Sequence, residues 1–195
     1  ILPISFTLDT PGPLARTVRD AALLLEVLAG EDPEDPATFS SRPPAGGYLG
    51  DLREDGLSGA RIGVFRTSED TAPARLAEDF LALLRQQGAV LLPMPPLSFD
   101  PAPILSPIMI HELRPGINRY LAAYGQNASV RTLEDIIAFN ARHADLALRY
   151  GQTLLLAAQQ DSTGTLCDPA YLDAVRRREQ AVAEMDGWVD RAGVD

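Results

Sequence analysis

Residues 3–30, PISFTLDTPGPLARTVRDAALLLEVLAG, decide the fold. They read as a short apolar run, a hard turn and one capped helix. Pro11-Gly12-Pro13 fixes the backbone on either side of a free glycine, so neither helix nor strand passes through it. Thr17 stands three residues ahead of Asp20, a capping-box-like pair with the shorter acid. Ala21, Leu24, Leu25 and Leu28 then share one helical face, and Gly30 falls where a C-cap belongs. The stretch predicts a loop followed by a buried helix.

Downstream, residues 31–58 carry Asp32-Pro33, Asp35-Pro36, Pro43-Pro44 and Gly46-Gly47, the composition of a long irregular connector lying over a larger body. Ala60 to Arg66 alternates around Ile62, Val64 and Phe65 and suits a strand. Thr71 and Pro73 open a helix with Leu76, Phe80, Leu83 and Leu84 on one face, closed at Gly88, and Ala89 to Leu92 form a second strand. Strand, helix and strand make a βαβ unit with a parallel pair and a right-handed crossover. Gly63 stands inside the first strand rather than at its end, so no phosphate-cradling loop follows it.

From Pro101 the chain reads as helical. Pro107 and Pro115-Gly116 break Ile104 to Tyr124 into two short helices with a kink. Thr132 caps a helix with Ile136, Phe139, His143 and Leu146 on its buried side, Tyr150-Gly151 interrupts it, and Gln152 to Gln160 resumes. Asp168-Pro169 opens a last helix with Leu172, Val175, Val182, Met185 and Val189 in register, fading before Gly193.

A chain of 195 residues buries one sizeable core. A net charge of −10 disfavours nucleic acid or an anionic membrane as a partner, and no apolar run approaches a membrane span. The single cysteine, Cys167, makes no internal disulfide, and with no secretory signal visible the expected location is cytoplasmic. All 17 basic residues are arginine, so no side chain here can become the neutral amine base that a lysine supplies.

The order PISFTLDTPGPLARTVRDAALLLEVLAGEDPED, residues 3–35, resembles the segment after the nucleophile region in the amidase signature family. That pattern runs Pro-x-Ser, then Asp-Thr-x-Gly-Pro, then Ala-Arg-Thr-Val-Arg-Asp and an apolar helix. LEDIIAFNARHADLALRYGQTLLLAAQ, residues 133–159, with DPAYLDA at 168–174, is similar to the peptide-amidase-like branch. Tyr150 stands there for the usual phenylalanine and Thr153 for an expected glutamate.

Such enzymes cut carboxamides with a serine nucleophile, a second serine in a cis peptide, a lysine base and backbone N–H donors for the oxyanion. The resemblance places all three catalytic residues ahead of Ile1. It thus implies the latter part of an α/β amidase domain cut at both ends: a partial amidase-signature fold, mainly parallel in its small sheet and helix-rich towards the C-terminus. Residues 1–58 are the post-nucleophile segment and loop, 59–97 the βαβ unit, 98–195 the helical region. No cofactor is implied, and the substrate is a small-molecule or peptide amide.

Several residues admit two roles. Asp9 and Thr10 either line the active-site face or brace the turn. Glu112 and Gln152, polar on apolar stretches, either reach a substrate or anchor helices. These four are the candidate substrate-pocket wall, with no catalytic and no metal residue expected within the chain. His143, on the apolar side of its helix, reads as a core or boundary histidine. His111 has no second histidine or cysteine at metal-ligand spacing, and Cys167 has no partnered histidine in sequence. Arg176-Arg177-Arg178 spreads around its helix as solvated charge.

The first alternative to an inactive amidase segment is a binding or regulatory half-domain that pairs with another chain. The second is a different enzyme using Cys167, His143 or Glu112. Helix faces such as Leu23 to Leu28 are expected to be left exposed in a partial core and to drive self-association.

Overall fold

In a computed structural model that describes residues 2–65, 72–96 and 98–195, the Thr17 hydroxyl accepts the Asp20 N–H at 3.0 Å and opens α1, Val18–Leu28. Ala29 is its C-cap and Gly30 follows. The chain divides into two units, one of Ile1–Asp9 with Leu97–Trp188, the other of Thr10–Pro96 with Val189–Asp195.

In the second unit α1 forms where the sequence places it, but it is not a buried helix. Only Ala22 is buried, and Leu23, Leu24, Val27 and Leu28 are exposed. Its neighbour α2, Gly47–Gly50, is a four-residue helix too short to cover three turns. The connector of residues 31–58 is less irregular than its composition suggests. Besides α2 it holds a 3₁₀ turn, Pro36–Ser40, where the Asp35 carboxylate accepts the Ala37 N–H at 3.1 Å.

The βαβ unit follows: β1 (Arg61–Val64), α3 (Ala72–Gln86) and β2 (Val90–Pro93), with β1 parallel to β2 and Arg61 opposite Val90. Thr71 lies outside the described residues. Gly88, at φ +92°, ends α3 in a Schellman motif. Its N–H reaches Arg85 O at 3.0 Å, and the Ala89 N–H reaches Leu84 O at 3.1 Å. On α3 the expected apolar face is buried only at Leu84; Leu76, Phe80 and Leu83 are exposed. The C-terminal residues run beside β1, where Asp195 and Arg61 exchange two hydrogen bonds of 3.0 Å.

The first unit holds α4 (Ala102–Tyr124), α5 (Leu133–Arg142), α6 (Ala144–Ala147), α7 (Thr153–Asp161) and α8 (Pro169–Ala192) up to Trp188. The two short helices expected between Ile104 and Tyr124 are one, with Pro107 and Pro115 inside it. A proline deprives the carbonyl four residues back of its donor. For Pro115 that carbonyl is His111 O, and the buried Ser162 hydroxyl donates to it at 3.3 Å. The apolar burial of Ile104, Ile108, Leu113, Ile117 and Leu121 holds the helix together across both prolines.

Two further apolar faces differ from expectation. In α5, Leu133 is buried and Ile136 and Ile137 half-buried, whereas Phe139, His143 and Leu146 are exposed. The backbone leaves the helix at His143 (φ −121°, ψ 39°), so the 3.6-residue register does not carry on to Leu146. In α8, Tyr171, Ala174 and Trp188 are buried and Val175 is half-buried against the cluster of Tyr171 and Ala174, while Leu172, Val182, Met185 and Val189 are exposed. A rotation of one position, about 100°, brings Tyr171 and Ala174 onto Ile104 and Ile108. A second cluster joins Leu113, Ile117 and Leu121 of α4 to Leu133 of α5 and Ala158 of α7.

Candidate functional site

Glu112 lies midway along α4 with no exposed surface. An ionised carboxylate in such a place needs donors at every lone pair. Four are present. Oε2 accepts the Ser5 hydroxyl at 2.6 Å and the Thr7 N–H at 3.0 Å; Oε1 accepts the Thr7 hydroxyl at 2.5 Å and the Tyr171 hydroxyl at 2.7 Å. The Ser5 oxygen also accepts the Leu8 N–H at 3.0 Å, which leaves its own proton for Glu112. Burial raises the Tyr171 phenol to about 12, and the hydrogen bond and charge of Glu112 add to it, so the phenol keeps its proton and donates.

Asp9 holds the same turn from the other side. Its Oδ2 accepts the N–H groups of Ile4 at 2.8 Å and Ser5 at 3.0 Å, while its own N–H donates to Ser5 O at 2.8 Å. Asp9 and Glu112 thus meet on Ser5, one on its backbone, the other on its side chain. Gln152 stands at the N-cap position of α7 elsewhere in this unit, with its side chain turned to α5 and not to the α7 N–H groups. Its Oε1 accepts the Asn140 amide at 3.1 Å and its Nε2 donates to Ile137 O at 3.5 Å, which ties α7 to α5. Thr10 is exposed.

His111 is buried, with Nδ1 2.7 Å from Pro107 O, so that nitrogen carries the proton, and Nε2 lies 3.8 Å from Asp168 Oδ2. Asp168 in turn accepts the Thr163 N–H at 3.2 Å and the Thr163 hydroxyl at 2.8 Å. His143 is exposed and stacks on Phe139, ring centroids 4.2 Å apart. Cys167 is exposed, with its Sγ 3.5 Å from Thr165 O. Among the described residues no group of three or more His, Cys, Asp or Glu side chains could hold a metal ion, and no helix is long and apolar enough to cross a membrane.

The sequence singles out Asp9 and Glu112 but not their common partner. Ser5 and Tyr171 stand inside the motifs PIS and DPAY, and Thr7 between PIS and Asp9, yet no local signal pairs them with a glutamate 107, 59 and 105 positions away. What this arrangement can do chemically is hold a turn rigid, since all four acceptor sites of the carboxylate are filled from within.

Known proteins resemble this chain along most of its length. A probable amidase of Arabidopsis thaliana is 31% identical over 174 residues, which covers 83% of this chain and 32% of that protein. A glutamyl-tRNA(Gln) amidotransferase subunit of Bdellovibrio bacteriovorus is 29% identical over 159 residues, 78% of this chain and 30% of that protein. The native peptide amidase of Stenotrophomonas maltophilia superposes with a TM-score of 0.84 at 35% identity, across 100% of this chain and 41% of its own. The chain therefore spans about a third of the curated relatives and two fifths of the solved neighbour. The family model described as Amidase matches residues 1–195 from end to end, and with it the small parallel sheet, the capped helices and the quoted motifs agree: the chain belongs to the amidase family.

Proposed function

We propose that this chain is the latter part of a carboxamide hydrolase that acts on peptide amides, and that these 195 residues do not turn over amides alone. The observation that carries the reading is the superposition of the whole chain on a peptide amidase at a TM-score of 0.84. The absence of lysine supports the second half, because a serine–serine–lysine centre needs an amine base that no residue of this chain supplies. The segment then serves as scaffold and as one wall of the substrate pocket. In the first unit, exposed Asp9 and half-buried Gln152 are the polar groups available to that wall, with Glu112 acting from behind it.

The test is ammonia release from a panel of peptide amides by the purified chain. No turnover is expected. A rate in the ordinary enzyme range, roughly 1–10³ s⁻¹, overturns the claim of inactivity.

The exposed apolar residues of α1 favour a second reading, a half-domain that pairs with another chain. A relative whose name makes it one component of an amidotransferase fits that reading as well. A genuine start codon immediately ahead of Ile1 supports it. A reading frame that continues upstream through a Gly-Ser-rich loop and a lysine supports the amidase segment instead.

A further inference from the structure

We propose that Glu112 is a positioning residue: a buried anion that clamps the Ile4–Asp9 turn onto α4 and α8 and so fixes the backbone entering it from the nucleophile side. The inference rests on the amidase reading for what lies on that side, and on the geometry alone for the clamp.

Three observations lead to it. The turn is held twice, by Asp9 on the N–H groups of Ile4 and Ser5 and by Glu112 on the Ser5 hydroxyl, Thr7 N–H and Thr7 hydroxyl. The anchor point is wholly buried, and among the described residues no cation pairs with it, so its charge is balanced by donors alone. Those donors come from the turn and from α8, which means the carboxylate joins segments far apart in sequence instead of stabilising its own helix. A group that stabilised only α4 would have no need of Ser5 and Thr7. One that met a substrate would keep a lone pair open, and this one keeps none.

The position also dictates which replacement is tolerated. In Glu112→Gln an amide NH₂ placed at Oε2 would face the Thr7 N–H, donor against donor. Placed at Oε1 it faces two hydroxyls, those of Thr7 and Tyr171, which can turn to accept. Glu112→Gln therefore keeps the clamp in weakened form, and Glu112→Ala abolishes it.

The experiment is residue-resolved amide hydrogen exchange on the full chain, comparing wild type with Glu112→Gln, Glu112→Ala and Tyr171→Phe. Exchange at Thr7, Leu8 and Asp9 is expected to quicken at least about tenfold in Glu112→Ala, and less in Glu112→Gln and Tyr171→Phe. Amides at the far end of α4, Ile117 to Leu121, should stay near wild type. A uniform rise over the whole unit, or none at Thr7, overturns the clamp. Should Glu112→Ala fail to fold, the two milder variants decide the same question.

In the enzyme encoded with this segment, Glu112→Gln is expected to lower kcat about tenfold or more with KM little changed. A loss confined to KM, or no loss, overturns the positioning role. An unmutated enzyme that releases no ammonia from amides sinks the amidase reading and leaves the exchange result standing.

Discussion

The phenol of Tyr171 on α8 donates to Glu112 Oε1 on α4 at 2.7 Å, a neutral donor set against a buried anion. Its proton is retained to about pH 12, for which burial is the first cause and Glu112 the second. A raised value means the unfolded chain releases this proton first, near 10.0. The contribution to stability is therefore complete below pH 10 and is lost as pH rises through about 12. We expect a late step in phenolate absorbance that vanishes in Tyr171→Phe. A late step that persists in the variant assigns it to another tyrosine.

The Ser162 hydroxyl fills the His111 carbonyl that Pro115 leaves without a donor. It also accepts the Gly164 N–H at 3.1 Å, so Ser162→Ala orphans groups on both sides. We expect a loss of about 1–3 kcal/mol in denaturant unfolding. Pro115→Ala restores an N–H at that carbonyl, so the cost of losing Ser162 should shrink in the Pro115→Ala background. Equal costs in both backgrounds would show the two positions to be uncoupled.

Thr132 and Asp135 form a reciprocal capping box at the start of α5. Thr132→Ala is expected to cost about 1 kcal/mol. The Asp135 carboxyl is held below its ordinary 3.8 by the Arg131 N–H first, and further by Thr132 and the charge of Arg142. Here the folded value is depressed, so the stabilisation is present above pH 3.8 and fades as pH falls through the lower, folded value. Asp135→Asn should flatten the acid limb of α5 stability measured by amide exchange. An unchanged limb would remove the carboxylate from that account.

On α1, Leu23, Leu24, Val27 and Leu28 lie within one exposed sector, with Val27 79% exposed. We expect the isolated chain to self-associate at micromolar concentration, and Val27→Glu to reduce that association without lowering the melting temperature. Light scattering from a clean monomer across that range would dismiss the α1 face as the cause.

Where the physics is local, the sequence already shows it. Thr17, Thr132 and Pro169 mark helix starts because a cap or a fixed φ acts within a single turn. Gly88 marks an end for the same reason, and the parallel strands follow from two short apolar runs around a helix. The faces of α1, α5 and α8 are a different matter. A 3.6-residue period identifies an apolar stripe but not whether anything covers it, and a one-position rotation separates exposed Leu172 from buried Tyr171, although Val175 still packs beside Ala174. The unbroken α4 is illegible for a related reason: the hydroxyl that mends it belongs to a residue 51 positions on. Glu112 shows both limits at once, since its polarity on an apolar helix flags it and its partners lie about a hundred residues back and about sixty ahead.

A ribosome releases this protein N-terminus first, at about 5–20 residues per second. When Pro115 emerges, Ser5 and Thr7 are already available to Glu112, but Ser162 and Tyr171 are not yet made. For several seconds the His111 carbonyl can turn only to water, and the carboxylate has three of its four donors. The middle of α4 is thus completed only once Ser162 and Tyr171 have followed it, and a nascent chain stalled before residue 162 would carry that helix unfinished at the proline.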